Sequence, residues 1–362
     1  MTRRVAWLST ETPNRDGGGG QRRQYFQVRA LQRAGVEVAV MSMAGGQDDS
    51  SIRELAPTHR FRGRGRRWRA PMPGDDLRDL LQPGRFDVAV VAHMDSLPAV
   101  EEAVVGTGMP WALDFQNVYS RWHASRDEAA ATRLMLGRET RALLRATMST
   151  SVSTEERAAL LAQVPGARVE VAGNGVAPDE WSQVQTSTPR EPIVGMFASW
   201  IHPPNRSGLE WFTDAVWPQV RDRLPEARLV LLGPGDPPSS ALAQPGVTYL
   251  GRVPSLEMAM SQVRVAVVPF VEGVGARVKF GESLASGAAV VSTRIGAEGY
   301  PTDTPFLLAD HPTDFAAACC QLLENAEAAR ILGHQGRAFA LEHLDWDQTS
   351  APLVNFALRE AG

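Results

Sequence analysis

The chain of 362 residues is predicted to fold as an α/β protein with two Rossmann-like domains that face a central cleft. Apolar runs typical of strands alternate with helix-like segments along almost the whole chain, a pattern that favours parallel sheets. Residues 177–192 contain Pro, Ser and Thr and separate two such series, which is typical of a linker. We therefore predict domains at residues 1–176 and 193–343, a linker at 177–192, and a final helical segment at 344–362.

The first half opens with a strand at residues 5–9 and a helix at about 21–34, which ends at the stop signal Gly35. Further strands are predicted at residues 36–42, 86–92, 111–115, 148–152 and 168–172. Helices are predicted at about 97–105, 127–146 and 153–163. Residues 43–84 are rich in Gly, Pro and Arg, and we predict little regular structure there.

The second half repeats the alternation from residue 193 onwards. Strands are predicted at residues 193–198, 228–232, 247–250, 265–268, 289–292 and 306–308. Helices are predicted at 208–223, 255–262, around Lys279, and at about 312–325, 327–343 and 348–361. Two Rossmann-like sheets joined in this way predict a small-molecule site in the cleft between them.

The composition is that of an ordinary globular protein, with 43% hydrophobic and 22% charged residues. No apolar run is long enough for a membrane span, and the N-terminus lacks the pattern of a signal peptide. The two cysteines, Cys319 and Cys320, are adjacent and form neither a disulfide framework nor a metal-binding spacing. We therefore expect a cytoplasmic protein, and the net charge of −4 does not indicate a nucleic-acid partner.

The stretch from Arg60 to Arg69 contains six arginines in ten residues. Such a basic arm suits an anionic membrane, a lipid phosphate or an acidic acceptor. A solvated loop in an Arg-rich chain has the same composition. Peripheral contact with the inner face of a membrane through this stretch is therefore one of two interpretations.

Lys279 is the single lysine in a chain with 37 Lys plus Arg residues. A lysine is a compact point charge, which fits a phosphate in a narrow pocket better than the wide guanidinium fork does. It follows a loop with Gly273 and Gly275 and precedes Glu282 on a predicted helix. A Gly-rich loop that leads into a helix suits a phosphate. The alternative is a lysine that has survived in an Arg-rich composition.

A second Gly-rich loop, at residues 17–20, follows the first strand. It is not a dinucleotide fingerprint, because Glu37 begins the second strand and does not end it. Gly18 and Gly19 would let the backbone approach a phosphate or a sugar, or would only permit a tight turn.

Residues 269–293 resemble the donor-site motif of the family 4 retaining glycosyltransferases, which adopt the GT-B fold. Other segments resemble family motifs in the same order. These are residues 17–42, 173–176, 197–205, 211–212 and 231–235, together with Trp346 and the last helix, which resembles a tail that crosses back to the first domain. The resemblance covers nearly the whole chain.

The resemblance implies transfer of a sugar from a nucleotide diphosphate-sugar, with UDP or GDP as the nucleotide and with retention at the anomeric carbon. The donor is a substrate, and no cofactor is implied. Lys279 and Arg277 would neutralise the diphosphate, and Glu282 would bind the ribose hydroxyls. The implied donor-binding residues are Gly18, Gly19, Ser199, Arg206, Gly233, Arg252, Val253, Gly273, Val274, Gly275, Glu282 and Ser283. The acceptor is not implied by the resemblance; the Arg-rich, Lys-poor composition suggests a bacterium, where a cell-surface glycan, a glycolipid or a natural product would be the acceptor.

Three positions depart from the family pattern. Val274 stands where a family glutamate is expected, and Gln116 stands where many members have a histidine. The Arg-x4-Lys pair of many members is absent after the first strand of the second half, where Arg206 is the nearest substitute. His93 is left as the catalytic candidate of the first half, either in contact with the sugar or an acceptor hydroxyl or as a structural histidine.

The acceptor candidates are Asn117, Tyr119, Arg121 and Trp122, which would line a pocket or begin a helix packed on the core. No metal is expected, because the string from Asp345 to Asp347 opens the last helix, where Asp is a natural N-cap. Two other functions are consistent with the same architecture. One is a nucleotide-sugar epimerase, and the other is a non-catalytic nucleotide-sugar-binding protein that acts with a partner.

Overall fold

The structure is a computed structural model, and it describes residues 2–43, 49–61, 75–182, 184 and 190–360. The chain divides into two compact units. The first unit contains Met1–Asn174 and Trp346–Gly362, and the second contains Gly175–Asp345. The C-terminal residues from Trp346 onwards therefore belong to the first unit.

The first unit is built on a parallel sheet with, among its described residues, seven strands in the order β3-β2-β1-β4-β5-β6-β7. The strands are β1 (Arg4–Ser9), β2 (Glu37–Ser42), β3 (Thr58–Arg60), β4 (Val88–Ala92), β5 (Trp111–Phe115), β6 (Met148–Ser151) and β7 (Val169–Val171). The helices are α1 (Gly19–Arg33), α2 (Ser50–Leu55), α3 (Leu77–Leu80), α4 (Leu97–Thr107), α5 (Tyr119–Ala124), α6 (Ala129–Arg145) and α7 (Thr154–Gln163). A short 3₁₀ helix spans Met94–Ser96.

Both faces of this first sheet are covered, which explains why its central strands β1, β4 and β5 are apolar at nearly every position. On β1, Ala6 and Leu8 belong to one core cluster, and Val5 and Trp7 belong to the other. Helices α4, α6 and α7 contribute to the first cluster. Helix α1 and the C-terminal helix contribute to the second, so the end of the chain completes this core.

The second unit contains a parallel sheet of six strands among its described residues, in the order β10-β9-β8-β11-β12-β13. The strands are β8 (Ile193–Phe197), β9 (Arg228–Leu232), β10 (Val247–Tyr249), β11 (Val265–Val268), β12 (Ala289–Ser292) and β13 (Leu307–Leu308). The helices are α8 (Pro178–Trp181), α9 (Pro203–Trp211), α10 (Trp217–Arg223), α11 (Ser239–Leu242), α12 (Leu256–Met260), α13 (Val278–Ala285), α14 (Pro312–Glu324) and α15 (Ala326–His343). The chain then returns to the first unit through α16 (Trp346–Thr349) and α17 (Ala351–Arg359).

The second sheet is also buried between two helical layers. Helices α9, α10 and α14 contribute to one core cluster, and α12, α13 and α15 contribute to the other. Each unit therefore has its own core, and the predicted fold class of two Rossmann-like α/β halves is confirmed.

Several predicted elements were wrong in extent. The segment predicted to lack regular structure contains α2, β3 and α3, because Ile52, Leu77 and Leu80 are buried against the first sheet. Arg60 lies in β3 and pairs with Asp49 at 3.3 Å, whereas residues 62–69 of the basic stretch lie outside the described residues.

The helix predicted at residues 208–223 begins earlier, at Pro203, and is interrupted by a π-helical turn over Phe212–Val216. The two prolines at its start were not recognised as a helix N-terminus, although proline suits the first helical turn. The predicted linker contains α8, whose Trp181 is fully buried, so this segment packs within the second unit.

Each sheet has one point at which its strand order reverses. In the first sheet this point lies between β1 and β4, and in the second it lies between β8 and β11. The loops that leave such neighbouring strands diverge to opposite sides and create a crevice at their carboxyl ends, where α/β proteins bind ligands. These two edges are where the predicted site residues are found.

Candidate functional site

Lys279 lies at the strand-order reversal of the second unit, between the loops that leave β8 and β11. Its Nζ is 2.5 Å from Oδ1 of Asn205 in the first turn of α9, and 4.8 Å from the ring centre of Phe270. Among the described residues, Asn205 supplies the only hydrogen-bond acceptor of this ammonium, and no carboxylate forms an ion pair with it. The site therefore contains a partly buried cation without a paired anion.

Helix α9 reaches this position because of Gly208. A Cβ atom at Gly208 would lie 2.7 Å from the carbonyl oxygen of Pro269, which is closer than side chains tolerate. The absence of a side chain lets α9 lie directly against the chain that leaves β11. Asn205 is thereby brought into hydrogen-bonding range of Lys279, although the two residues are far apart in sequence.

The surroundings of Lys279 change its acid–base behaviour. Burial, followed by the neighbouring charge of Arg277, lowers the pKa of Lys279 to about 7, although Glu282 acts in the opposite direction. The chemical reason is that a charged ammonium loses hydration that Asn205 and the Phe270 ring only partly replace. A bound anion would restore the missing stabilisation.

The two predicted arginines are engaged with protein groups. Arg277 also lies over Phe270, but its guanidinium donates to the carbonyl of Gly275 and lies 3.7 Å from Glu298. Arg206 donates to the carbonyl oxygen of Asp236 at 2.6 Å. Among the described residues, Arg277 is the one of the three cations Arg277, Arg206 and Lys279 that has a carboxylate within ion-pair distance.

The other donor residues predicted in the second unit lie on loops and helices at the same edge of its sheet. Glu282 and Ser283 are buried on α13, and the Ser283 hydroxyl donates to the carbonyl of Lys279 at 2.7 Å. Ser199 follows β8, and its backbone carbonyl oxygen accepts a hydrogen bond from the side-chain amide nitrogen of Asn205. The remaining positions lie between named elements: Gly233 after β9, Arg252 and Val253 after β10, and Gly273, Val274 and Gly275 between β11 and α13.

The structure brings Lys279, Arg277 and Ser199 to one cluster with two residues that the sequence reasoning did not select, Asn205 and Phe270. Asn205 could have been noticed because it follows two prolines at a helix start. The sequence did not single out Phe270, because it continues the apolar run of a predicted strand.

In the first unit, His93 follows β4 and has a φ of 76°, a left-handed conformation that is strained for histidine. The backbone N–H of Asp95 donates to its Nδ1 at 3.2 Å, and its Nε2 lies 3.3 Å from the Tyr119 hydroxyl. Tyr119 in turn donates to Oδ2 of Asp95 at 2.9 Å. The Nδ1 atom of His93 also lies 3.5 Å from Oδ2 of Asp95, so the three side chains form one polar cluster.

The predicted acceptor residues mostly form a helix. Tyr119, Arg121 and Trp122 lie on α5, whereas Asn117 lies in the loop before it. Of these residues, Tyr119 is joined to His93 and Asp95. Asp95 was missed by the sequence reasoning, although it stands two residues after His93 at a strand end.

Gln116, at the end of β5, faces the start of α1. Gly19 and Gly20 are the first two residues of that helix, and Gly18 is its N-cap. A Cβ atom at Gly20 would lie 2.7 Å from the Gln116 side-chain oxygen. The Gln116 amide nitrogen is buried and has no hydrogen-bond partner among the described residues.

A buried ion pair supports this edge of the first sheet. Arg23 on α1 and Asp114 on β5 are joined in a bidentate arrangement, and Thr150 donates to the same carboxylate at 2.6 Å. Burial alone would raise the pKa of Asp114, but the charge and hydrogen bonds of Arg23, with Thr150 and Gln27, bring it below its ordinary value. The sequence reasoning did not select Arg23.

Asp347 lies in the first turn of α16 and pairs with Arg33 at 2.7 Å, and Asp345 forms an isolated bridge with Val176. In the described part of the chain, no three His, Cys, Asp or Glu side chains are grouped so as to hold a metal ion. No helix in that part combines the length and apolar composition that membrane crossing requires.

Two family descriptions match the chain in adjacent segments. The family described as "Glycosyltransferase Family 4" matches residues 17–180, and the one described as "Glycosyl transferases group 1" matches residues 191–325. The chain belongs to the group 1 glycosyltransferases. The resemblance read from residues 269–293 is thereby confirmed at the level of this family.

Solved structures agree with this glycosyltransferase in fold over nearly the whole chain. The sucrose-phosphate synthase of Thermosynechococcus elongatus is 18% identical, with a TM-score of 0.75 and 99% of each chain covered. Anabaena HepE in complex with UDP and glucose is 13% identical, with a TM-score of 0.72, 99% of this chain and 100% of that chain covered. A mutant of S. aureus TarM in complex with fondaparinux, alpha-GlcNAc-glycerol and UDP is 11% identical, with a TM-score of 0.74, 99% of this chain and 100% of that chain covered. The comparison with curated proteins gave no match. The predicted GT-B fold is confirmed.

Proposed function

We propose that this glycosyltransferase transfers a sugar from a nucleotide diphosphate-sugar, and that Lys279 binds the diphosphate. The observation that carries the proposal is the partly buried ammonium of Lys279, whose only hydrogen-bond acceptor among the described residues is a neutral amide. A cation placed in this way is stabilised by an anionic ligand. Its position at the strand-order reversal is also where α/β proteins bind nucleotides.

The same charge suits the chemistry of transfer. Negative charge grows on the diphosphate as the bond to the sugar breaks, so a fixed cation stabilises the transition state more than the ground state. Arg277, which shares the Phe270 ring with Lys279, adds positive potential without leaving its own partners. Lys279 would thus act on the leaving group, and Arg277 would support it.

The nucleotide part of the donor would extend along the same edge of the second unit. Glu282 is 5% exposed on α13, one helical turn after Lys279, and its two oxygens suit the ribose diol. UDP is present in the HepE and TarM structures, which supports UDP as the first nucleotide to test and GDP as the second. Retention at the anomeric carbon is implied by the family 4 resemblance and is part of the proposal.

The acceptor would bind to the first unit, where His93, Asp95 and Tyr119 form a polar cluster at the end of β4. As the catalytic candidate of the first unit, His93 would contact the sugar or an acceptor hydroxyl next to Tyr119. Cell-surface glycans, glycolipids and glycosylated natural products are the acceptor classes to test. We expect transfer without a metal ion in the cytoplasm, with Arg60–Arg69 as the segment for any peripheral membrane contact.

The experiment is a transfer assay with UDP- and GDP-sugars and an acceptor panel, in the presence and absence of EDTA. NMR of the product would report the anomeric configuration. We expect sugar transfer with retention, and at least a roughly hundredfold loss of kcat/KM in Lys279→Met, as for removal of one charged transition-state contact. Arg294→Met removes a cation that is 78% exposed in the same unit and is the matched control.

Loss of activity in Arg294→Met equal to that in Lys279→Met would contradict a specific role for Lys279. Nucleotide binding without transfer to any acceptor would favour the non-catalytic protein that acts with a partner. Conversion of the donor sugar without an acceptor would favour an epimerase.

A further inference from the structure

We infer that Asn205 is a positioning residue for the donor diphosphate: it fixes the ammonium of Lys279 at the start of α9 and leaves its charge uncompensated. The inference rests on the proposed function, because it explains how that site is assembled. Asn205 acts through Lys279 and is not assigned a contact with the substrate.

Two hydrogen bonds fix the orientation of the Asn205 side chain. Its amide nitrogen donates to the carbonyl oxygen of Ser199 at 2.6 Å, and its Oδ1 faces Lys279 at 2.5 Å. The Ser199 carbonyl can only accept, so the amide group must point toward it and the oxygen toward the ammonium. Asn205 is 7% exposed, which limits its other orientations.

The start of α9 has no spare backbone donors for an anion. Pro203 and Pro204 lack an N–H, and the next two amides, of Asn205 and Arg206, donate to the carbonyl of His202 at 3.1 and 3.4 Å. A helix N-terminus usually offers free amides to a phosphate. At the N-terminus of α9, the ammonium of Lys279 supplies the hydrogen-bond donors instead of the backbone N–H groups.

This arrangement also explains the missing Arg-x4-Lys pair in the segment after β8. Lys279 comes from α13, a different element, yet its ammonium ends against the first turn of α9. Arg206, the nearest cation in sequence, is instead directed to the carbonyl of Asp236. The ammonium of Lys279 therefore reaches α9 from a different element, and Oδ1 of Asn205 is its hydrogen-bond acceptor there.

The neutrality of Asn205 is essential to the inference. Aspartate has nearly the same shape and would accept the same hydrogen bond, but it would pair with Lys279 and cancel the charge that a diphosphate needs. The other charged groups on the elements packed around Lys279 are Arg277, Glu282 and Glu298, which pairs with Arg277. On the side of α9 they are Arg206 and Glu272, which accepts from the Ser207 hydroxyl, and His202 at the N-cap of α9 is titratable. None of these would change in the variant.

The first test compares the full chain with Asn205→Asp by titration calorimetry with UDP and GDP between pH 6 and 9. We expect the dissociation constant of the preferred nucleotide to rise by at least about tenfold at pH 7, since one favourable charge contact is cancelled. The pH above which binding weakens should also move upward, because a carboxylate stabilises the ammonium form. A purely structural role of Asn205 would not move this pH limit.

Asn325→Asp is the matched control in the same unit. Asn325 caps α15 by accepting from the backbone N–H of Ala328, and aspartate caps a helix equally well. Its nucleotide affinity and pH limit should equal those of the wild type. Unchanged affinity and an unchanged pH limit in Asn205→Asp would overturn the inference.

The second test exchanges the two residues. Lys279→Asn alone should weaken nucleotide binding by about thirtyfold or more, and the double variant Asn205→Lys with Lys279→Asn should recover most of that loss, because the ammonium is returned to the same place. A folded double variant that binds no better than Lys279→Asn would contradict the inference.

The two proposals fail differently. Wild-type nucleotide affinity in Lys279→Asn would remove the proposed donor site itself. Loss of affinity in Lys279→Asn, with wild-type behaviour in Asn205→Asp, would leave the proposed function standing and reject the role of Asn205.

Discussion

Arg23 and Asp114 form a bidentate ion pair inside the first unit, with distances of 2.9 Å from Nε to Oδ2 and 2.7 Å from Nη2 to Oδ1. Both side chains are almost fully buried. The remaining Arg23 donors reach the carbonyl oxygens of Ala172 and Gly173 and the side chain of Asn174. One side chain thus joins α1, the end of β5 and the end of β7, which is the edge that holds Gln116 and His93.

Removal of the Asp114 carboxylate should destabilise the first unit strongly. Asp114→Ala leaves the Arg23 charge buried without its partner, and we expect a loss of about 3–5 kcal/mol in the free energy of unfolding. Urea denaturation followed by near-UV circular dichroism would measure it. Arg294→Ala, which breaks an exposed pair with Asp310 and leaves the backbone hydrogen bond to Asp310 in place, should cost less than about 1 kcal/mol and serves as control. Similar losses in both variants would show that the buried network contributes little.

Lys279 should reduce the stability of the free protein. Its pKa is lowered from 10.5 to about 7 in the folded state, so the unfolded chain holds its proton more tightly. Between pH 7 and 10.5 the unfolded state binds more protons, and stability attributable to this group therefore rises with pH. Below pH 7 the folded protein must carry the poorly solvated charge, and the full destabilisation applies.

We therefore expect Lys279→Met to raise the free energy of unfolding by about 1–3 kcal/mol at pH 6.5, after allowance for the partial exposure of the side chain. The gain should shrink as the pH approaches 10. Denaturation series at pH 6.5, 8 and 9.5 would test this trend. A variant less stable than the wild type at pH 6.5 would contradict the lowered pKa.

Nucleotide binding should be accompanied by proton uptake at pH 8. The Lys279 side chain is mostly deprotonated at that pH. A bound diphosphate would raise its pKa, so the side chain would take up a proton. Calorimetry with UDP or GDP in buffers of different ionisation enthalpy should report uptake of roughly 0.5–0.9 proton for each nucleotide bound. The uptake should fall to near zero in Lys279→Met, and an equal uptake in that variant would place the titrating group elsewhere.

Gly208→Ala should disturb the donor site through the backbone. The new methyl group would lie 2.7 Å from the Pro269 carbonyl oxygen, so α9 must move away from the loop that leads to Phe270. We expect a destabilisation of about 1–3 kcal/mol and a weaker affinity for nucleotide. Thermal unfolding with and without nucleotide would measure both effects.

Gly137→Ala is the control for Gly208→Ala, because nothing lies within 4 Å of a Cβ atom at that position in α6. There the substitution should stabilise the helix by about 0.5–1 kcal/mol. Two variants with the same effect would mean that the close approach at Gly208 has no energetic consequence.

The alternating pattern of the sequence predicted the layered fold well, since buried parallel strands are nearly continuous apolar runs. The prediction was poorest where short elements depend on tertiary contacts. Strand β3 has three residues, and its register is set by pairing with β2 through Val40, Met41 and Ser42. Local propensity carries no information about such pairing.

The candidate site was predicted in part for a similar reason. Lys279 stood out because it is the single lysine, and Glu282 because of its spacing from it. Asn205 is 74 positions away from Lys279, and only the packing of α9 against the chain after β11 makes them neighbours. The engagement of Arg277 by Glu298 could not be predicted either, because a loop brings the two together.

The most direct test of the account is the equilibrium affinity of the full chain for UDP and GDP at pH 7, with Lys279→Met and Arg294→Met compared by titration calorimetry. The account predicts binding of one of the two nucleotides by the wild type and by Arg294→Met, and a loss of about thirtyfold or more in Lys279→Met. Wild-type affinity in Lys279→Met would contradict the central claim that this lysine binds the donor diphosphate.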